Sequence, residues 1–144
     1  MTENRVQTVV TEAELAVLCE RVRSSSRVGL DTEFHNERSY TARLMVVQLA
    51  FDEGYAIVDT LMLSDLSPLV RALCETTVVG HALTSDLKIF ADRYGMVPPK
   101  IFDCQVAAAF LGYGMSISLA DLVRDLQGVR LKKSQVSGRP RSRA

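Results

Sequence analysis

Across its 144 residues the chain has no apolar run near the ~20 that a membrane-spanning helix needs. Its opening, "MTENRVQTVV", lacks the basic-then-apolar layout of a secretory signal. Both absences read as a cytoplasmic protein with no membrane partner. Cysteine is scarce: Cys19, Cys74 and Cys104 are odd in number, far apart and without metal-ligand spacing. Apolar neighbours around each point to reduced core thiols. No internal repeat appears. Net charge is also absent, since 17 basic residues balance 17 acidic ones.

That balance hides an asymmetry. The last stretch, "RLKKSQVSGRPRSRA", holds six basic residues and no acid, leaving 11 basic against all 17 acidic residues in the rest. The acidic part, residues 1–129, reads as one folded domain, long enough to bury a core. Residues 130–144 read as a basic, disordered tail.

Hydrophobic spacing sets the order of elements. Thr11 with Glu14 is a capping-box pattern, and Leu15, Leu18, Cys19 and Val22 continue it as a helical stripe. Arg5–Val10 before it and Val28–Phe34 after it read as strands. Arg43–Phe51 is apolar on both faces and is expected to be central and covered on both sides. Asp52-Glu53-Gly54 signals a hairpin into Tyr55–Asp59, which completes an antiparallel meander. His35–Ala42 reads as a polar loop. Leu66, Leu69, Val70 and Leu73 mark a helix, Thr76–Gly80 a strand parallel to the first of the meander, and Leu87, Phe90, Ala91 and Tyr94 a helix ending at Gly95. Ile101–Phe102 leads into an Ala-rich helix from Cys104 to Leu111. Ser118 with Asp121 opens a last helix with Leu119, Leu122, Val123 and Leu126 on one face. A meander followed by crossovers implies a mixed sheet with helices on both faces.

Against this frame the acids of "VGLDTEF" stand out. Asp31 and Glu33 are two apart on a strand, so both point to one face, with Thr32 on the other. Two like charges side by side are costly unless a cation lies between them. Oxygen-only ligands suit magnesium or manganese; the plainer alternative is a strand end with both acids hydrated. In "VVGHALTSDLKIF", Asp86 falls in the first turn of a helix just after a strand. Such edges gather ligand sites in open α/β sheets, while the plainer reading is an acid complementing the helix dipole. His81, in the connecting loop, reads either as a site residue or as an ordinary loop histidine, and Phe34 as a core aromatic. Asp103 reads as the N-cap of the helix that begins at Cys104.

Three blocks, "VGLDTEF", "GHALTSDLKIF" and "IFDCQVAAAFLG", stand in the order and spacing of the DEDD 3′–5′ exonucleases. The chain resembles the ribonuclease D branch of that family from about Val6 to Gln135, including "TEAELAVLCERV", "RSYTARLMVVQLA" and "MSISLADLV". The resemblance implies an RNase H-like α/β fold and hydrolysis of phosphodiester bonds from an RNA 3′ end, as in processing of transfer RNA or other small RNA. It implies Asp31, Glu33 and Asp86 as ligands of two Mg²⁺ or Mn²⁺ ions, with Asp31 bridging, Glu33 on the water side and Asp86 on the other ion. Phe34 would pack near the terminal base or sugar, with His81 also at the substrate.

The chain departs from the family at one motif. The fourth acid of these enzymes follows a tyrosine or histidine by four residues, but Tyr94 is followed at that distance by Pro98, Tyr113 by Ile117 and His81 by Ser85. Lys132 stands where the family commonly has an aspartate. The ending reads as a truncation or frameshift in preference to a genuine basic arm, and the expected consequence is a weakened site. Three alternatives stay open: a non-catalytic RNA-binding module on the same fold, a DNA-directed 3′–5′ exonuclease, and a small α/β interaction domain whose acids are incidental.

Overall fold

A computed structural model of the chain describes residues 5–35 and 42–132. Most of the polar loop and the basic segment from Lys133 onward lie outside the described residues.

Strand β1 (Val6–Val9) leads to helix α1 (Glu12–Ser24). Thr11 caps α1 as its sequence foretells: the Glu14 N–H donates to Thr11 Oγ1 at 3.2 Å, and the Thr11 N–H donates to Glu14 Oε2 at 3.0 Å. Strands β2 (Arg27–His35), β3 (Arg43–Phe51) and β4 (Gly54–Asp59) form the antiparallel meander. Gly54 closes the hairpin at φ +95°, where a Cβ would meet the Arg5 carbonyl oxygen at 2.4 Å, so no other residue fits. Helix α2 (Ser67–Leu73) then leads to β5 (Thr77–Gly80), which pairs parallel to β2. Helix α3 (Thr84–Tyr94) ends at Gly95 in the left-handed conformation. Strand β6 (Ile101–Asp103), helix α4 (Cys104–Phe110) and helix α5 (Leu119–Gln127) complete the described chain.

The six strands lie in the order β1-β4-β3-β2-β5-β6. One face of the sheet carries Val9, Val28, Leu30, Val47, Leu49, Ala56 and Val58, all buried. Against them pack Leu15, Leu18, Cys19 and Val22 of α1, Leu69, Val70 and Leu73 of α2, and Ile89 and Phe90 of α3. Among the described residues, the other face is bordered by the starts of α4 and α5 at its β5–β6 side and is otherwise uncovered.

That openness corrects one expectation. β3 is an interior strand, as its apolar run suggests, but among the described residues it is covered on one face only. Leu44, Val47 and Leu49 are buried while Gln48 is exposed. Gln48 lies in register with Asp31 and with Ile57, so the open face carries polar and apolar groups in one row. Two helical stripes also differ from expectation. In α3 the buried residues are Asp86, Ile89 and Phe90, with Ala91 exposed, because the helix is rotated to turn Asp86 inward. In α5 only Leu122 is buried; Leu119, which lines the open face, and Leu126 are exposed.

Candidate active site

β2 outruns β5: Gly29 is the last β2 residue in register with it, and Asp31, Thr32 and Glu33 project beyond the end of the shorter strand. A β-bulge separates Glu33 from Phe34, the kind of irregularity that re-aims side chains at functional sheet ends. Val28, Leu30 and Thr32 are buried on the core side, whereas Asp31 and Glu33 are exposed on the open side. The same-face placement read from their spacing therefore holds.

Asp86 approaches from the core side. It is 7% exposed, and its Oδ1 accepts a hydrogen bond from the hydroxyl of Thr32, itself 7% exposed. Thr32 is the residue between the two exposed acids, so this bond ties the first turn of α3 to the acidic end of β2. The Asp31 carboxyl feels the result. Partial burial raises its pKa most, the charge of Asp86 adds to that, and Glu33 adds less. Asp31 thus lies within electrostatic reach of both other acids. None of the three carboxylates has an ion-pair partner among the described residues. No three His, Cys, Asp or Glu side chains among the described residues are grouped closely enough to hold a metal ion. The donor chemistry nevertheless suits a hard cation: acidic oxygens without an ion-pair partner among the described residues, with the charges of Asp86 and Glu33 acting on Asp31.

The loop between β5 and α3 is shaped by close packing. A Cβ on Gly80 would lie 2.4 Å from Leu83 Cδ2 and 2.9 Å from the Leu30 carbonyl oxygen, so glycine lets the loop turn tightly against β2. Ala82 adopts φ +56°, a conformation that costs a non-glycine residue of order 1 kcal/mol. Asp103 holds it there. Its carboxylate accepts from the Ala82 N–H at 3.0 Å and the Leu83 N–H at 2.9 Å, while also capping α4 through Gln105 at 2.9 Å. Burial pulls the Asp103 pKa up, but these backbone donors outweigh it and the net shift is downward. Asp103 is the N-cap its sequence suggested, and it also clamps the loop that delivers Asp86.

His81 and Phe34, the two candidate substrate contacts, are placed differently. His81 Nε2 lies 2.9 Å from the Ile117 carbonyl oxygen, which can only accept, so Nε2 carries a proton. Gln105 Nε2 donates to the same oxygen at 3.1 Å. His81 thus joins the β5–α3 loop to the α4–α5 connection while lining a trough of about 620 Å³ on the open face, shared with Asp31, Gln48 and Ile57. Phe34 is half-buried and packs against the core. Thr32 and the loop-clamping role of Asp103 escaped sequence reasoning: a threonine between two acids carries no signal of its own, and an N-cap aspartate looks the same whether it serves its helix alone or a distant loop as well.

The fold is that of the 3′–5′ exonucleases, an RNase H-like α/β architecture. The model of the 3′–5′ exonuclease family matches residues 6–144, and the chain belongs to that family. Within it the chain is similar to ribonuclease D. It is 38% identical to ribonuclease D of Escherichia coli (strain K12) over 131 residues, which are 90% of this chain and 35% of that protein. The crystal structure of E. coli RNase D, described as an exoribonuclease involved in structured RNA processing, superposes with a TM-score of 0.83 at 39% identity, over 90% of this chain and 35% of that one. Trypanosoma brucei RNase D in complex with RNA U12 shares the fold, with a TM-score of 0.75 at 16% identity, over 90% of this chain and 49% of that one. The chain spans little more than a third of the length of its curated relatives.

Proposed function

We propose that the chain is a metal-dependent 3′–5′ exonuclease domain of ribonuclease D type that acts on the 3′ end of RNA, with transfer RNA precursors or other small RNA as substrates. The observation that carries this reading is the acidic end of β2, where Asp31 and Glu33 project past β5 and Thr32 between them holds Asp86. Partial burial first, then the charges of Asp86 and Glu33, push the Asp31 carboxyl up. Membership of the exonuclease family supports it independently. Asp31, Glu33 and Asp86 would hold two Mg²⁺ or Mn²⁺ ions. Two such ions, when bound, activate the attacking water and stabilise the leaving 3′ oxygen. The protein's own part is positional: Thr32 holds Asp86 against β2, and Asp103 holds the loop that starts α3. The terminal nucleotide would lie in the trough, beside His81 and near Phe34.

Three carboxylates form an incomplete set beside the four of the family's pattern. Hydrolysis by this chain alone is expected to be near background, with RNA binding retained. The test follows release of the terminal nucleotide from a 3′-labelled single-stranded RNA in Mg²⁺ and in Mn²⁺. The chain is run beside a version extended by a helix carrying the tyrosine-plus-four aspartate pattern. Turnover by the extended chain, lost on Asp31→Asn, is the expected result. RNA binding without turnover in both chains would instead mark a non-catalytic RNA-binding module, and preference for a DNA oligonucleotide would reassign the substrate.

A further inference from the structure

A second hollow lies apart from the trough. It has a volume of about 300 Å³ and is lined by polar groups at the start of β3, the end of β4, the turn before α2 and the end of α3. Its polar residues are Arg43, Thr60, Ser64, Asp65, Arg93 and Tyr94. Half of these are already engaged. Thr60 donates its hydroxyl to the Leu44 carbonyl at 2.7 Å. Ser64 donates to Glu12 Oε1 at 2.8 Å. Asp65 accepts from the Ser67 N–H at 2.9 Å and the Ser67 hydroxyl at 2.7 Å. Arg43, Arg93 and the hydroxyl of Tyr94 remain, and none has a hydrogen-bond or ion-pair partner among the described residues. Burial raises the Tyr94 phenol, Arg93 lowers it and Asp65 raises it, so both charges reach the hydroxyl.

Two unpaired guanidinium groups and a free phenol around a polar hollow make a receptor for an anion. The planar donor fork of arginine matches phosphate oxygens in particular. The position is as informative as the chemistry. Arg43 pairs across the sheet with His35, and Glu33 pairs with Val46. Three residues of strand separate Arg43 from Val46, ~10 Å at ~3.3 Å per residue. Tyr94 lies eight residues along α3 from Asp86, ~12 Å at ~1.5 Å each. The hollow therefore sits just past the acidic end of β2, at a distance a few nucleotides of one strand would span.

We infer that this hollow is a backbone-phosphate subsite, in which Arg43, Arg93 and Tyr94 grip a phosphate of the RNA strand upstream of its 3′ end. The inference rests on the exonuclease reading and gives the substrate strand a direction across the surface, from the trough out past Phe34. Phosphate contacts of this kind position a strand without reading its sequence.

The test is binding of a labelled single-stranded 12-nucleotide RNA, without Mg²⁺, by fluorescence anisotropy over a range of salt. The unaltered chain is compared with the double variant Arg43→Gln/Arg93→Gln, and with Arg5→Gln/Arg27→Gln, which removes the same charge at the opposite end of the sheet. The expected result is a Kd at least about tenfold weaker for the first double variant. Its salt slope should fall by about 0.7, one phosphate's share for single strands, with the control nearly unchanged. Equal losses in both double variants, or none in the first, would overturn the subsite while leaving the exonuclease reading intact. Failure of the unaltered chain to bind RNA would overturn that reading itself.

Discussion

The two faces of the sheet obey different rules. On the covered face, Val58 in β4 is fully buried in the core. On the open face the very next residue, Ile57, is 38% exposed and shares its row with Gln48 and Asp31. One face is held mainly by apolar burial, with the buried Thr32–Asp86 hydrogen bond at its edge; the other mixes aliphatic surface with Asp31 and Glu33. The covered face carries stability. The open face, with the strand end that outruns β5, carries the candidate chemistry.

The largest effect expected from breaking this contrast is on activity. In an extended, active chain Asp31→Asn should cut metal-dependent RNA hydrolysis by about 10²–10⁴-fold, the scale of a lost catalytic group. Metal-free stability should move the other way. The folded pKa of Asp31 lies above its unfolded value, so its favourable contribution is present below the unfolded pKa and is lost as pH rises through the folded one. At neutral pH the ionised group is a burden, and Asp31→Asn should raise the Tm in EDTA yet shrink the gain in Tm on adding Mg²⁺. A Tm lowered by this change in EDTA would show that Asp31 supports the fold instead.

On the covered face, Phe90→Ala should destabilise by about 3–5 kcal/mol in urea unfolding, because the ring is fully buried and would leave a cavity. The neighbouring pair in β4 sharpens the comparison: Val58→Ala should cost more than Ile57→Ala although isoleucine loses more carbon. Equal costs would mean that the open face is buried in solution.

Asp103 tests the loop that joins the two regions. Asp103→Ala should cost about 1–2 kcal/mol, on the scale of a lost N-cap. Its folded pKa is depressed, so its stabilising effect is present above the unfolded pKa and disappears as pH falls through the folded one. The gap between variant and parent in urea unfolding should therefore be open at pH 7 and close well below pH 4. The smallest effect is expected at Ala82. Ala82→Gly relieves the left-handed strain at the cost of chain entropy, leaving a net change within about 1 kcal/mol of zero in the same measurement.

Much of this was legible from the residues. The capping box of α1, the meander, the parallel return of β5 and the glycine stop of α3 are short-range matters of spacing and backbone geometry, which a linear pattern records. Asp31 and Glu33 on one face follow from the two-residue period of any strand. The family motifs pointed to the right fold for the same reason: they are local blocks whose order survives in the linear chain.

What the tertiary structure alone decided is where separate blocks meet. No spacing announces that the Thr32 hydroxyl would reach Asp86, or that Asp103 would hold the loop ahead of α3 as well as the start of α4. Nor could the apolar run of β3 reveal that only one of its faces is covered, since a strand's sequence records its own alternation and not its neighbours. Arg43 and Arg93 are 50 positions apart in the chain, ordinary surface arginines until β3 and α3 bring them to one hollow. Local conformation is set by forces that act over a few residues. Sites are set by burial and charge, which act through space.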